Sequence, residues 1–124
     1  MDIEKHVEYW RCGALEDWEV GAKLVCEGKT RHGLFFLHLA LEKALKALVT
    51  IHTGEVAPRI HNLVRLAEIA GLTLDDHRMD ALADMNQFQI EGRYPELLPT
   101  SPTQDEAEGF LKLAMEIFQW LMKR

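Results

Sequence analysis

Four polar side chains recur along one otherwise apolar stretch of the chain and could form a single chemical surface. They are Arg31, His38, Glu42 and Lys46. On an α-helix, where successive residues are turned by about 100°, all four fall within an arc of about 80°. Desolvating such groups without partners is costly, so the stripe must face water, a cleft or polar groups from elsewhere in the chain.

This stripe has a functional and a structural interpretation. In the functional one it is the floor of a polar groove, where Arg31 and Lys46 attract phosphate. Glu42 would orient His38 there. In the structural one it is a solvated helix edge, or a buried His38–Glu42 pair that fixes the packing of the helix. Segment 29–46 has four basic residues against one acidic residue, in a chain of net charge −6, which makes it a candidate anion site or, equally well in charge terms, a solvated helix face.

A second polar site lies at the predicted start of the third helix. His61 and Asn62 open this helix shortly after Pro58. Unpaired backbone amides and the positive end of the helix dipole suit an anion there. A polar first turn is also common where it only caps a helix.

A third candidate follows the fourth predicted helix. Arg93 and Tyr94 precede Pro95, which restricts the backbone before it to an extended conformation. Arg93 could clamp a phosphate and Tyr94 could stack on a base. Equally, the two side chains could tie the loop to the rest of the molecule.

Apolar residues repeat at helical spacing along nearly the whole chain. The pattern predicts an all-α fold in a single domain, residues 1–124: an antiparallel up-down bundle of four long helices and one short helix. The predicted helices cover about residues 3–27, 31–52, 58–71, 75–91 and 103–124. Pro58 fits the first position of the third helix, and Thr103 with Glu106 forms a capping box for the fifth. The second helix is apolar on nearly all sides and should lie between the others.

Composition and motifs exclude several classes of function. The net charge of −6 argues against sequence-independent binding to nucleic acid. No apolar run has the ~18–20 residues of a membrane helix and no signal peptide is recognisable, so we expect a cytoplasmic protein. Cys12 and Cys26 lie about 21 Å apart on one predicted helix, too far for a disulfide, and should be reduced packing residues. Without HxxxH, CxxC or a phosphate-binding glycine loop, we expect no metal and no cofactor.

Three segments together resemble the HEPN domain family (higher eukaryotes and prokaryotes nucleotide-binding). Residues 36–48, FLHLALEKALKAL, look like the second-helix signature of that family. Residues 61–66, HNLVRL, are similar to its His-polar-Leu start of the third helix, and Arg93-Tyr94-Pro95 to the loop after its fourth helix. The segments occur in family order with appropriate gaps, so the resemblance covers the whole chain.

The resemblance implies a helical bundle that forms homodimers and often works beside a small nucleotidyltransferase in the bacterial or archaeal cytosol. Candidate dimer faces here are the Tyr9–Trp10 region and the Phe118–Trp120 end, which carry large apolar side chains. Some family members are metal-independent RNases of toxin–antitoxin systems, with an Arg and a His separated by four to six residues late in the bundle. The pair with that spacing here is Arg31 and His38, on the second helix instead.

The residues and the resemblance lead to one site hypothesis. The ligand-binding side chains would be His38, Glu42, Lys46, His61, Arg93 and Tyr94. Their cleft would bind a nucleotide, or a nucleotidyl group on a partner, without catalysis. In an RNase alternative, His38 would act as acid or base while Arg31 or Arg93 stabilises the phosphate charge. In a purely structural alternative, the polar stripe only sets the register of the bundle.

Overall fold

The computed structural model describes residues 1–91 and 101–124, with all of their side chains except those of residues 90 and 91. Six helical segments and no strand occur in these ranges. They are α1 (Ile3–Cys26), α2 (Thr30–Thr53), α3 (Leu63–Ile69), α4 (Asp76–Met85), α5 (Gln87–Glu91) and α6 (Gln104–Met122).

These helices confirm the predicted all-α bundle. The predicted fourth helix is interrupted at Asn86, which separates α4 from α5. The backbone N–H of Asn86 is shared between the carbonyl oxygens of Leu82 and Ala83, at 3.2 and 3.3 Å, which tightens the last turn of α4. With α4 and α5 counted as one broken helix, the described residues form four long helices and a short one, α3.

The third helix begins later than the sequence predicts. Pro58 lies outside it, in the connection after α2, and α3 starts at Leu63. Asn62 is the N-cap, and its Oδ1 accepts a hydrogen bond from the backbone N–H of Arg65 at 3.2 Å. The assignment of Pro58 to the first helical position was wrong because its fixed φ suits an extended connection equally well. The capping side chain decides where the helix starts.

The backbones of α1 and α2 nearly touch where these two helices cross. A Cβ atom at Gly21 would lie 2.9 Å from the carbonyl oxygen of Gly33. One at Gly33 would lie 2.8 Å from the backbone nitrogen of Val25. These separations leave no room for a methyl group, so the two glycines allow the close approach of the helices.

α2 is the central helix, as its apolar composition predicts. It packs against α1, α3, α5 and α6. Its fully buried leucines form the middle of the core: Leu34, Leu37, Leu41 and Leu45. Because other helices surround it, polar residues in the middle of α2 must find their partners inside the protein.

α6 closes the bundle from the far end of the chain. The predicted capping box is confirmed: the Thr103 hydroxyl accepts from the N–H of Glu106, whose carboxylate accepts from the N–H of Thr103. Hydrogen bonding of the carboxylate to the backbone N–H of Thr103, and secondly to its side chain, lowers the pKa of the Glu106 carboxyl. Further along α6, the ring of Phe118 stacks on that of Trp18 with 4.7 Å between centroids.

Two smaller expectations were wrong. Cys12 and Cys26 are free thiols, as predicted, but both are exposed instead of packed, because they lie on the outer side of α1. Phe118 is 4% exposed and therefore offers no surface to a dimer partner. None of the described helices combines the length and the apolar character that crossing a lipid bilayer requires.

Candidate functional site

Three of the four stripe residues point into the protein from the middle of α2. His38 is fully buried, and Glu42 and Lys46 are 5% and 6% exposed. Spacings of four residues place them one above another on the same side of the helix. The stripe is therefore an interior polar feature and not a solvated helix edge.

The Glu42 carboxylate makes these residues compatible with burial because it has two partners. Its Oε2 accepts a hydrogen bond from Lys46 Nζ at 3.0 Å, one turn along α2. Its Oε1 lies 3.0 Å from Nδ1 of His61, which comes from the connection before α3. One carboxylate thus neutralises a buried ammonium and holds an imidazole from a second part of the chain.

His38 joins the same cluster through a backbone group. Its Nε2 donates to the carbonyl oxygen of His61 at 3.1 Å, and its Nδ1 lies 3.9 Å from Glu42 Oε1. The bond to a carbonyl assigns the proton of the neutral ring to Nε2. His38 therefore fixes the backbone of His61, while Glu42 fixes its ring.

Trp10 of α1 covers the other end of the cluster. Lys46 Nζ lies 5.3 Å from the centroid of the Trp10 ring, within the range of a cation–π interaction. The contacts run in sequence from Trp10 to Lys46, Glu42 and His61. We call these four residues the polar row.

His61 is the exposed end of the polar row. Its side chain is 43% exposed, against 6% for Glu42. It borders a hollow of about 180 Å³, the His61 hollow, whose other lining residues are Asn62, Asn86 and Gln89. The wall is fixed, since Asn86 Nδ2 donates to Asn62 Oδ1 at 3.1 Å and Asn86 Oδ1 accepts from the N–H of Leu63 at 2.8 Å.

The hydrogen bond to Glu42 gives the exposed imidazole of His61 a defined orientation. Nδ1 of His61 donates to Glu42, so a neutral ring presents Nε2 as an acceptor and a protonated ring presents it as a donor. Lys46 already balances the charge of Glu42. The hollow can therefore receive a compact polar or anionic group bound by an imidazole and side-chain amides. No group of His, Cys, Asp or Glu in the described residues could hold a metal ion.

Of the remaining site candidates, Arg31 is not part of this cluster. Arg31 lies at the start of α2, where its Nη2 donates to Ser101 Oγ at 2.7 Å. It is seven residues, or about 10 Å along the helix, from His38. Arg93 and Tyr94 lie outside the described residues. The structure thus brings together His38, Glu42, Lys46 and His61, and leaves Arg31 apart.

Three members of the site were not predicted. Trp10 was assigned to the apolar face of α1, and its side chain also covers an ammonium. Asn86 and Gln89 lie at the break between α4 and α5 and in α5. Their signal in the sequence is weak: an asparagine inside a predicted helix indicates a local interruption, but not which element it faces.

Comparisons with known proteins agree with the observed fold. A family model for the HEPN domain matches residues 7–124. The crystal structure of TT1696 from Thermus thermophilus is similar with a TM-score of 0.77 and 24% identity, covering 94% of this chain and 96% of that one. That of ST0689, an archaeal HEPN homologue, has a TM-score of 0.72 and 23% identity, covering 94% and 95%. At such identities the two structures show a shared fold. No match is found among curated proteins.

Proposed function

Because the chain belongs to the HEPN domain family, we propose that it is a non-catalytic nucleotide-binding module whose His61 hollow holds the phosphate of the ligand. The observation that carries the proposal is the ring of His61, exposed to solvent on one side and held by a buried carboxylate on the other. A side chain fixed in this way meets a ligand without first losing conformational freedom.

The size and lining of the hollow support phosphate as the group that enters it. About 180 Å³ is smaller than the 300–1,000 Å³ typical of pockets that enclose a whole ligand. Donor groups on its walls suit phosphate oxygens: the side-chain amides of Asn62 and Gln89, and Nε2 of His61 when its ring is protonated. Base and ribose would then lie outside the hollow.

The test is calorimetric titration of ATP into the wild type, His61→Gln and His77→Gln. His77 is the matched control, an exposed histidine on α4 that lies 3.6 Å from a carboxylate, that of Glu116. We expect ATP to bind the wild type and His77→Gln alike, and His61→Gln at least tenfold more weakly, because the fixed imidazole is lost.

Thermal unfolding of His61→Gln shows whether the variant remains folded, since it also loses a partner of Glu42. Adenosine, which has no phosphate, should give no His61-dependent heat. An affinity for ATP weaker than millimolar in the wild type, or unchanged in His61→Gln, would contradict the proposal.

The partners implied by the family belong to the same proposal. We propose that the chain acts in the cytosol as a homodimer beside a nucleotidyltransferase. Exposed apolar side chains support an interface on α1 and the end of α2: Ile3, Leu15 and Ile51 are 40–50% exposed and line a hollow of about 420 Å³. Apolar patches of this kind typically mark contacts with other proteins.

Two alternatives differ in how well the contacts support them. The RNase alternative is disfavoured, because His38 is fully buried and bonded to a carbonyl while Arg31 is bonded to Ser101. An acid or base must come within hydrogen-bond reach of its substrate. The structural alternative is supported by the Glu42–Lys46 pair, which is buried and contacted by His61 and Trp10. This structural role and ligand binding at His61 are compatible.

A further inference from the structure

A second hollow, outside the proposed phosphate site, lies between the first turns of α1 and the connection after α2. It measures about 420 Å³ and is lined by Lys5, His6, Tyr9, Trp10 and Val56. We call it the Tyr9 hollow. Its volume falls within the range of pockets that enclose most of a small ligand, unlike that of the His61 hollow.

Two aromatic rings of this hollow are arranged so that another ring can be added. Tyr9 and Trp10 meet edge to face, with 5.2 Å between centroids and 70° between planes. Tyr9 is 69% exposed, so most of its ring is open to a bound molecule. Val56, 65% exposed, provides an apolar side chain from the connection after α2.

The indole N–H of Trp10, a residue that lines the hollow, is an unsatisfied donor among the described residues. Its nitrogen is buried and has no hydrogen-bond partner within residues 1–91 and 101–124. Buried donors are nearly always satisfied, because leaving one unpaired is costly. An acceptor on a bound molecule reaches this nitrogen only when the indole ring turns, so the N–H signal of Trp10 reports whether the hollow is occupied.

Two basic side chains of the hollow indicate that its ligand carries a negative charge. Lys5 and His6 line the hollow next to the aromatic rings. The carboxylate of nearby Asp2 is engaged in capping α1, where it accepts from the backbone N–H of Lys5 at 3.2 Å. A ligand with a planar ring and an anionic group therefore fits the hollow, and this is the chemistry of a nucleotide.

We propose that the Tyr9 hollow is a second nucleotide site, in which the base stacks on Tyr9 and Trp10 and the phosphate meets Lys5 and His6. The ligand class is that of the proposed function, but the site does not depend on the His61 hollow. Stacking on aromatic side chains is tolerant of sequence and shape, since every base has a π-face.

The test follows the indole N–H signals in a ¹H–¹⁵N NMR spectrum during titration with AMP. The chain has three tryptophans, and Trp10→Phe identifies the Trp10 signal. We expect AMP to shift this signal while that of Trp120, between two arginine side chains, stays in place. Ribose 5-phosphate, which lacks the base, should shift it much less than AMP does.

Two variants, the second with a matched control, assign the contacts. Tyr9→Leu should weaken the AMP-dependent shift about tenfold, through the loss of stacking. Lys5→Gln should weaken it severalfold, whereas Lys112→Gln, at a lysine of α6, should not. A Trp10 signal that does not move at saturating AMP, or moves equally in Tyr9→Leu, overturns the proposal.

One more comparison separates this site from the proposed phosphate site. His61→Gln should leave the Trp10 shift intact, and Tyr9→Leu should leave the His61-dependent binding of ATP intact. Loss of the Trp10 shift in His61→Gln would mean that the Tyr9 hollow is not a separate site. The spectrum of each variant also reports whether it is folded.

Discussion

At the scale of single residues, the chemistry of the interior depends on Glu42. A carboxylate removed from water is tolerated only when its charge is balanced and its oxygens are hydrogen-bonded. Lys46, whose Nζ lies 3.0 Å from Oε2 of Glu42, balances the charge. Lys46 and His61 together provide hydrogen bonds to the two oxygens. His61 keeps its orientation for the same reason, so stability and the candidate site share one group.

This dependence predicts a strong asymmetry between single and double variants. Glu42→Gln should lower the free energy of unfolding by about 3–5 kcal/mol, because it leaves the ammonium of Lys46 buried without a counter-charge. The double variant Glu42→Leu/Lys46→Met should cost far less or even stabilise the protein, since it removes both charges.

Chemical denaturation measures both effects. The control is Glu68→Gln, which removes an exposed ion pair with Arg65 and should change stability by less than about 1 kcal/mol. If Glu42→Gln proved as mild as Glu68→Gln, the buried pair would not have the role assigned to it.

The sequence predicts part of this residue-scale picture. Spacing alone places His38, Glu42 and Lys46 on one side of a helix, and α2 has that arrangement. Spacing does not show which partner the carboxylate takes. The expected His38–Glu42 pair is a 3.9 Å contact, while the shorter bonds go to Lys46 and to His61, whose approach depends on the path of a distant connection.

At the scale of secondary-structure elements, the local capping signal predicts the start of α6 but not that of α3. The Thr103–Glu106 capping box can be recognised in the sequence because its two partners are three residues apart. The start of α3 and the break at Asn86 were not predicted, and they depend on each other. Asn86 donates to the capping residue Asn62 and accepts from the N–H of Leu63. A contact between residues 24 positions apart leaves no periodic signal.

The crossing of α1 and α2 gives a prediction at this scale. Gly33→Ala should destabilise the protein by about 1–3 kcal/mol, because the new methyl group meets backbone atoms that cannot move aside. Gly109→Ala is the control, since a Cβ atom there has nothing within 4 Å.

Gly109 lies inside α6, where alanine favours the helix by about 0.5–1 kcal/mol over glycine. The two substitutions should therefore shift the thermal unfolding midpoint in opposite directions. A stabilised Gly33→Ala would mean that the helices are further apart than described.

At the scale of the whole molecule, the predicted architecture is confirmed, and the described members of the predicted ligand site lie together: His38, Glu42, Lys46 and His61. The helical spacing of apolar residues is enough to predict the bundle, because each helix must bury one apolar face. α2 must bury nearly all of its surface. The site needs the relative rotation of helices and the course of connections. These are set by packing among distant residues, as with Arg31, whose partner is Ser101.

The proposed homodimer is tested at this scale. Leu15→Glu places a charge in the apolar hollow of α1 and the end of α2, where Leu15 is 49% exposed. In analytical ultracentrifugation at micromolar concentration, the wild type should sediment as a dimer and Leu15→Glu as a monomer, with unchanged helicity by circular dichroism.

Met115→Glu provides the comparison, since Met115 is 40% exposed on α6. It should leave the dimer intact. A monomeric wild type, or equal dissociation in both variants, would remove this surface from consideration.

The two partners of Glu42 also differ in when they become available during synthesis. Lys46 follows four residues later on the same helix, whereas His61 follows after nineteen. A ribosome adds residues in that order, so a nascent α1–α2 hairpin already contains the countercharge for its acidic group before the imidazole emerges. The two helices can therefore pack together early without burying a carboxylate that has no counter-charge. Docking of the next segment then completes the hydrogen bonding of the interior.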